Sequence, residues 1–233
     1  MAHKKTLQPS KKAVREPVTR DRALRAAMAL ADERGLDELS MRTLAESLGI
    51  EAMSLYHHLK NKGAVLDGMV DLVFAEVEFP RTDLPWKAAV RSRMVSLRST
   101  LLRHQWALRV LESRANPGLT TLAHHDAMLG CFRSAGFSIV LTGRAYALLD
   151  SYVFGFVHTE LSLPFQTSDE ARQVAGAMFQ GIPEGTFPHL VEFALARVMV
   201  PGYSYGNEFD YGLDLILDGL ERALKKEKAN ASG

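Results

Sequence analysis

Between Leu39 and Lys62 the chain reads LSMRTLAESLGIEAMSLYHHLKNK, and its polar residues have the types and spacing to meet base edges and phosphates. Ser54, Tyr56, His57, His58 and Lys60 cluster as hydrogen-bonding groups, while Met53, Leu55 and Leu59 supply a packing face. A short helix with such side chains outward suits the major groove of DNA. Its partner helix opens at Ser40, whose hydroxyl can accept from free first-turn amides, and carries Leu44, Ala45 and Leu48 on one face. In the Leu48-Gly49-Ile50 turn, Gly49 takes a left-handed backbone that would strain a residue with a side chain. The pair predicts a helix-turn-helix, although the same pattern also occurs in all-α proteins that never meet DNA.

Charge placement favours the DNA reading. The first 25 residues hold Lys4, Lys5, Lys11, Lys12, Arg15, Arg20, Arg22 and Arg25 against Glu16 and Asp21, a local balance of +6 in a chain of net charge +1. Cations there can neutralise phosphates. A solubilising tail is the alternative, but the charge lies beside the helix-turn-helix and not at the other end.

The elements that must position these groups are helices throughout. Residues 1–17 are charged and poor in large apolar side chains, and are expected to be a disordered basic tail. A first helix is predicted over Arg20 to Arg34, with Thr19 as N-cap and Gly35 as its stop. After the helix-turn-helix, Asn61 caps a fourth helix from Lys62 to about Glu78, ended by Pro80 and Pro85. Further helices are expected over Trp86–Arg103, Trp106–Arg114, Gly118–Ala135, Ser138–Leu161, Glu184–Met199 and Glu208–Lys226. Turns at Asn116-Pro117-Gly118, Gly136 and Pro201-Gly202 separate them. A loop from Pro164 to Pro183 can include a helix over Asp169–Phe179. The fold class is all-α, a three-helix DNA-binding domain at 18–63 and a larger ligand-binding and dimerisation domain at 64–233.

Composition excludes several classes. The chain has 233 residues, 47% hydrophobic and 24% charged, ordinary values for a soluble globular protein. No apolar run approaches the ~18 residues a membrane span needs, and no apolar segment follows the basic N-terminus as in a secretory signal. The single cysteine, Cys131, excludes an intramolecular disulfide framework, fits a reducing cytoplasm, and reads as a small core residue. His124, His125 and Asp126 are adjacent, but consecutive helical residues diverge by ~100° and do not converge on one ion. No phosphate loop, nucleophile elbow or paired carboxylate motif is visible. No metal, cofactor or catalytic residue is therefore assigned.

The segments MRTLAESLG and SLYHHLKNKGAVLDGM resemble the TetR family of transcriptional repressors. WKAAVRSRMVSLRSTLLRH and FDYGLDLILDGLE also look like its tetracycline-repressor branch, whereas the middle of the chain matches mainly in helix pattern. The resemblance implies that Arg42 reads a guanine, which fits a guanidinium bonding O6 and N7 together. It implies that Thr43 and Ser54 contact DNA directly, that Tyr56 and Lys62 hold phosphates, and that His58 contacts the backbone. His57 stands where the tetracycline repressor has an aromatic residue, and Ala52 and Met53 replace operator-selecting residues, so the operator should differ. At the positions of the magnesium–tetracycline ligands the chain has Glu78, Leu111 and Arg93. Leucine cannot ligate a cation, so that chelate site is not expected. Gly63 replaces a frequent acidic cap.

A small-molecule site in the C-terminal domain is the expected use of Trp106, Phe132, Phe137, Tyr146, Tyr152, Phe154, Phe156 and His158, which combine aromatic area with a few polar tips. Each of them also reads as plain core. Arg93, Arg109 and Arg114 can recognise a carboxylate or lie on the surface. The cavity is expected beside Leu97, Trp106, Phe132 and Tyr152, with Arg93. Ser138–Leu161 and Glu208–Lys226 are apolar over wide faces, with Gly155, Gly212 and Gly219 permitting close approach, and predict a homodimer through a four-helix bundle. The function that emerges is a ligand-released repressor on a palindromic double-stranded operator. An all-α enzyme and a helical interaction protein are the rivals. The first lacks a catalytic constellation, and the second leaves the basic N-terminus, Tyr56 and Lys62 unexplained.

Overall fold

The computed structural model describes residues 17–113, 117–183 and 185–231. The expected tail at 1–16, and the expected roles of Arg114, Asn116 and Glu184, lie outside them. Among the described residues every regular element is helical: α1 Arg20–Arg34, α2 Met41–Leu48, α3 Ala52–Tyr56, α4 Lys62–Ala75, α5 Trp86–Arg103, α6 Trp106–Ser113, α7 Leu119–Ser134, α8 Ile139–Ser162, α9 Ser168–Phe179, α10 Pro188–Phe193 and α11 Glu208–Ala231.

Local chemistry sets the helix ends. Thr19 caps α1 by accepting from the Arg22 amide at 3.2 Å, and Asn61 caps α4 by accepting from the Ala64 amide at 2.8 Å. Gly49 leaves α2 at φ 67°, in the left-handed region, where a Cβ costs energy. Because α4 stops at Ala75, the expected extension to Glu78 is corrected. Pro80 follows closely, and proline disfavours helical backbone before it. The Glu78 amide instead donates to the Ser96 hydroxyl at 2.9 Å.

The segment expected as one helix over 184–199 is broken. Gly185 and Phe187 both have positive φ, so the helix starts only at Pro188; proline suits a first turn because its missing N–H is not needed there. It then widens into a π-turn over Ala194–Val198. In contrast, α9 forms fully within the expected loop, closed by a Thr167–Glu170 capping box, and α11 runs past Lys226 to Ala231.

Packing makes α4 the central member. It contacts α1 on the N-terminal side and α5, α6 and α7 on the other. At Gly68 a Cβ would meet the Leu24 methyls at 2.6 Å, so glycine allows α1 and α4 their close approach. In the body, α5 packs on α8, α7 and α11, and α11 also packs on α8. The core between them contains Val90, Met94, Leu97, Leu101, Phe132, Leu149, Val153, Phe209, Leu213 and Leu217, all essentially inaccessible. Cys131 is a half-buried free thiol whose pKa burial pushes up, which disfavours the reactive thiolate.

Candidate DNA-binding face and ligand cavity

Helices α2 and α3 meet at the Gly49 turn with Leu44, Ala45, Leu55 and Leu59 buried. Burial of Leu55 and Leu59 fixes the rotation of the second helix, so Met53, Ser54, Tyr56, His57 and His58 are exposed, while Ala52 is half-buried. Met53 is 72% exposed, so its expected packing role is corrected. The helix is only five residues long, and His57 and His58 lie in the turn that follows it. Lys62 is exposed at the first position of α4, beside the cap residue Asn61.

Two residues on α2 have partners that spacing did not reveal. Arg42 is 86% exposed at its side chain and donates from Nε to Glu46 at 2.9 Å. Such an exposed pair is worth little, so the guanidinium can exchange Glu46 for a base edge. Thr43 closes the capping box that sequence reading gave to Ser40 alone. Its amide donates to Ser40 Oγ at 3.1 Å, and its hydroxyl accepts from the Ser40 amide at 2.9 Å and donates to the Glu38 carbonyl at 2.8 Å. That hydroxyl has one proton, already used.

Several polar contacts tie the DNA-binding side to the body. Asp71 on α4 accepts from the Thr121 amide at 3.0 Å and the Thr121 hydroxyl at 2.8 Å. It thus caps the first turn of α7, which has no capping side chain of its own. At the far end of α4, Glu76 accepts from Arg103 at 2.8 Å and meets His104 Nε2 at 3.1 Å. Burial works against its charge, but the hydrogen bonds from Arg103 and His104 hold the Glu76 carboxyl below the usual range. The other nitrogen of His104 meets Asp32 of α1 at 2.9 Å, and the Trp106 indole donates to the same carboxylate at 2.6 Å. One corner of the body thereby holds the ends of both α1 and α4.

A cavity of about 360 Å³ opens on the body side of α4. Helices contribute to it in stripes: Asp67, Val70 and Phe74 from α4, Arg93 and Leu97 from α5, Leu108 and Leu111 from α6, Thr121 and His125 from α7, and Tyr146, Asp150 and Phe154 from α8. The Tyr146 hydroxyl is hydrogen-bonded to His125 Nδ1. Burial raises the pKa of Asp150 and of Tyr146 and lowers that of His125. Arg93 is 1% exposed, and burial lowers its pKa from the usual guanidinium range, though arginine keeps its proton in proteins.

Of the residues expected at a ligand site, Arg93 and Leu97 line this cavity, as do Tyr146 and Phe154. Trp106, Phe132 and Tyr152 do not, and their placement is corrected. Trp106 turns its indole toward Asp32. Phe132 is fully buried between Trp86 and Phe137. Tyr152 donates to the Phe209 carbonyl at 2.8 Å and stacks on the Phe209 ring. Phe137 and Phe156 are likewise core, His158 is exposed, and Arg109 lies on the surface opposite Asp37. The residues missed were Asp67, Val70, Phe74, Leu108, Pro117, Thr121, His125 and Asp150. Their signal was polar groups recurring at helical spacing inside apolar stripes, as in Tyr146-Asp150-Phe154.

The residues do not fit a magnesium chelate. Leu111 lines the cavity with no donor atom, and exposed Glu78 accepts from Ser92 at 3.1 Å outside it. No group of three potential metal-ligating side chains converges among the described residues. No helix there is long and apolar enough to cross a membrane.

A helix-turn-helix head joined through one shared helix to a cavity-bearing helical body defines a class of DNA-binding regulator. Residues 23–69 match the family model of bacterial regulatory proteins, tetR family, and residues 79–224 that of the tetracyclin repressor-like C-terminal domain. The chain is 36% identical over 215 residues to an HTH-type transcriptional regulator of Saccharopolyspora erythraea, covering 91% of this chain and 89% of that protein. It is 30% identical over 230 residues to the HTH-type transcriptional repressor DrrR1 of Streptomyces coeruleorubidus, covering 92% and 82%. Among solved structures it is similar to apo ActR from Streptomyces coelicolor, with TM-score 0.75, 29% identity and coverage of 91% and 99%. The chain belongs to the TetR family of transcription regulators, which are DNA-binding proteins and not enzymes.

Proposed function

We propose that this protein is a cytoplasmic repressor that binds a palindromic operator as a homodimer and leaves it when a small organic molecule fills the cavity. The observation that carries this reading is the course of α4. It begins at exposed Lys62, beside the DNA-binding face, and its Asp67, Val70 and Phe74 form a wall of the cavity. A ligand that displaces this wall tilts the helix that carries the head. Half-sites one helical turn apart, ~34–36 Å, tolerate little change in the spacing of two heads. A ligand preferring the splayed form by ~3 kcal/mol would weaken operator binding more than a hundredfold. The structurally similar ActR has been solved in complex with actinorhodin, which supports an organic effector for this chain.

Arg42, Thr43, Ala52, Met53, Ser54, Tyr56, His57, His58 and Lys62 form the DNA face in this reading. Thr43 acts mainly through the cap. Dimerisation is supported by an outward α8 face that runs through Val140, Gly143, Ala147, Leu148, Ser151 and Gly155, all exposed. Added Cβ atoms at Gly143, Gly155 or Gly219 would meet no close backbone within this chain, which leaves room for a second copy. Gly212 is different, because a Cβ there would strike the Tyr152 ring of the same chain. On α11, Tyr211 and Leu215 are 68% and 52% exposed and extend the apolar face.

The test is binding-site selection from random duplexes, followed by ligand titration on the selected operator in EDTA. A palindromic motif, strong salt dependence and reciprocal weakening of ligand and operator are expected. A ligand that binds the cavity equally well with and without operator would be no inducer.

A further inference from the structure

The cavity wall contains a buried guanidinium whose hydrogen bonds the described residues leave incomplete. Arg93 is 1% exposed, and its Nε has no hydrogen-bond partner. Its NH1 reaches only the Met94 sulfur, at 3.9 Å, and a thioether is a weak acceptor. No carboxylate among the described residues pairs directly with it, and Asp150 on the same wall attracts it only from a distance. The other polar groups on the cavity wall are accounted for. His125 and Tyr146 bond each other, and Tyr146 and Arg93 both favour the charged form of Asp150. Thr121 is held by Asp71, and Asp67 has a partner of its own. A guanidinium left without an acceptor in a largely apolar wall is destabilising relative to a well-packed aliphatic residue. An occupant that brings the missing acceptor removes that cost.

Resting on the reading of this cavity as the effector site, we propose that the effector is an organic acid: an apolar, ring-bearing body with one anionic group seated on Arg93. The body faces Val70, Phe74, Leu97, Leu108, Leu111 and Phe154, which make most of the wall apolar. The acid provides what the wall lacks, because a planar guanidinium pairs best with a carboxylate or similar anion. Asp150 offsets part of the Arg93 charge from a distance but gives its Nε no acceptor, and a ligand without an anionic acceptor leaves that gap open. Asp150 and Tyr146 stand on the α8 side, where they can take the hydroxyl or carbonyl groups of the same molecule.

The test uses the full chain and two fluorescent probes with the same aromatic body, anionic 8-anilinonaphthalene-1-sulfonate and neutral N-phenyl-1-naphthylamine. The anionic probe is expected to bind the wild-type protein more tightly. Arg93→Met should weaken it roughly ten- to a hundredfold, the range for a hydrogen bond to a charged group, and leave the neutral probe unchanged or tighter. Arg93→Lys should recover part of the anion preference. On the wild type alone, 1-naphthoate should displace the probe at lower concentration than its methyl ester, a comparison that needs no variant. Equal binding of acid and ester, or no change for the anionic probe in Arg93→Met, overturns the proposal. The cavity reading itself fails separately. If Leu111→Trp, which fills the cavity, leaves both probes binding as before, neither occupies it, and both the effector site and the acid assignment fall.

Discussion

Asp71 and Thr121 are joined twice, through the Thr121 amide at 3.0 Å and its hydroxyl at 2.8 Å. The cap of one helix therefore belongs to another, and α7 cannot shift against α4 without losing it. Gly118, at the N-cap position of α7, is what allows the carboxylate in; a Cβ there would run into Asp71. Asp71→Ala should lower stability by about 1 kcal/mol, the usual cost of a lost cap, while Asp71→Asn should retain most of it. Gly118→Ala should be at least as damaging as Asp71→Ala. Urea denaturation measures all three, and unchanged midpoints would show that the contact carries no stability.

At the DNA face, Arg42→Ala should weaken operator binding by about 1–3 kcal/mol and relax preference at one base in each half-site. Lys62→Ala and Tyr56→Phe should weaken all sequences alike, and Lys62→Ala should flatten the salt slope by roughly one unit per contact. Glu46→Ala frees Arg42 and should have little effect, because the pair is exposed. Sequence selection with each variant decides the matter. An unaltered motif for Arg42→Ala would remove it as the reading residue.

His124 makes stability depend on pH. Its ring is fully buried and stacked on Phe79 at 3.8 Å. Burial first, then the charge of Arg93, pushes its pKa down to about 4, against about 6.5 when unfolded. Between those values the unfolded chain binds a proton that the folded chain refuses. Stability contributed by the neutral ring is therefore complete above about 6.5 and falls away toward pH 4, by roughly 3 kcal/mol. His124→Phe should flatten this part of the profile in denaturant titrations from pH 4 to 7. Identical acid sensitivity in wild type and variant would exclude His124 as the cause.

A charge on the outward face of α8 or α11 should prevent self-association. Leu148 and Leu215 are 47% and 52% exposed, so Leu148→Asp and Leu215→Asp should fold normally but sediment as monomers and lose most operator affinity. A wild-type protein that sediments as a monomer at micromolar concentration, with no change on DNA, would defeat the dimer proposal.

Local chemistry made much of this molecule legible from sequence. Thr19, Ser40 and Asn61 cap the helices they were expected to cap, because an N-cap acts within three residues. The rotation of the recognition helix followed from Leu55 and Leu59 at helical spacing, although Met53 turned out to face solvent. What stayed hidden depends on residues far apart in the chain. Nothing local says that Asp71 caps a helix about fifty residues on, or that Trp106 turns to Asp32 and away from the cavity. Aromatic residues looked alike in sequence, yet Phe132 and Tyr152 pack the core while Phe154 lines the cavity. The difference is the direction a helix presents to its neighbours, which is set by interhelical packing. The open hydrogen-bonding valence of Arg93 was likewise invisible. A sequence shows that an arginine is present, but only the arrangement of α4, α5, α6, α7 and α8 around it shows that it is buried and that its Nε has no acceptor.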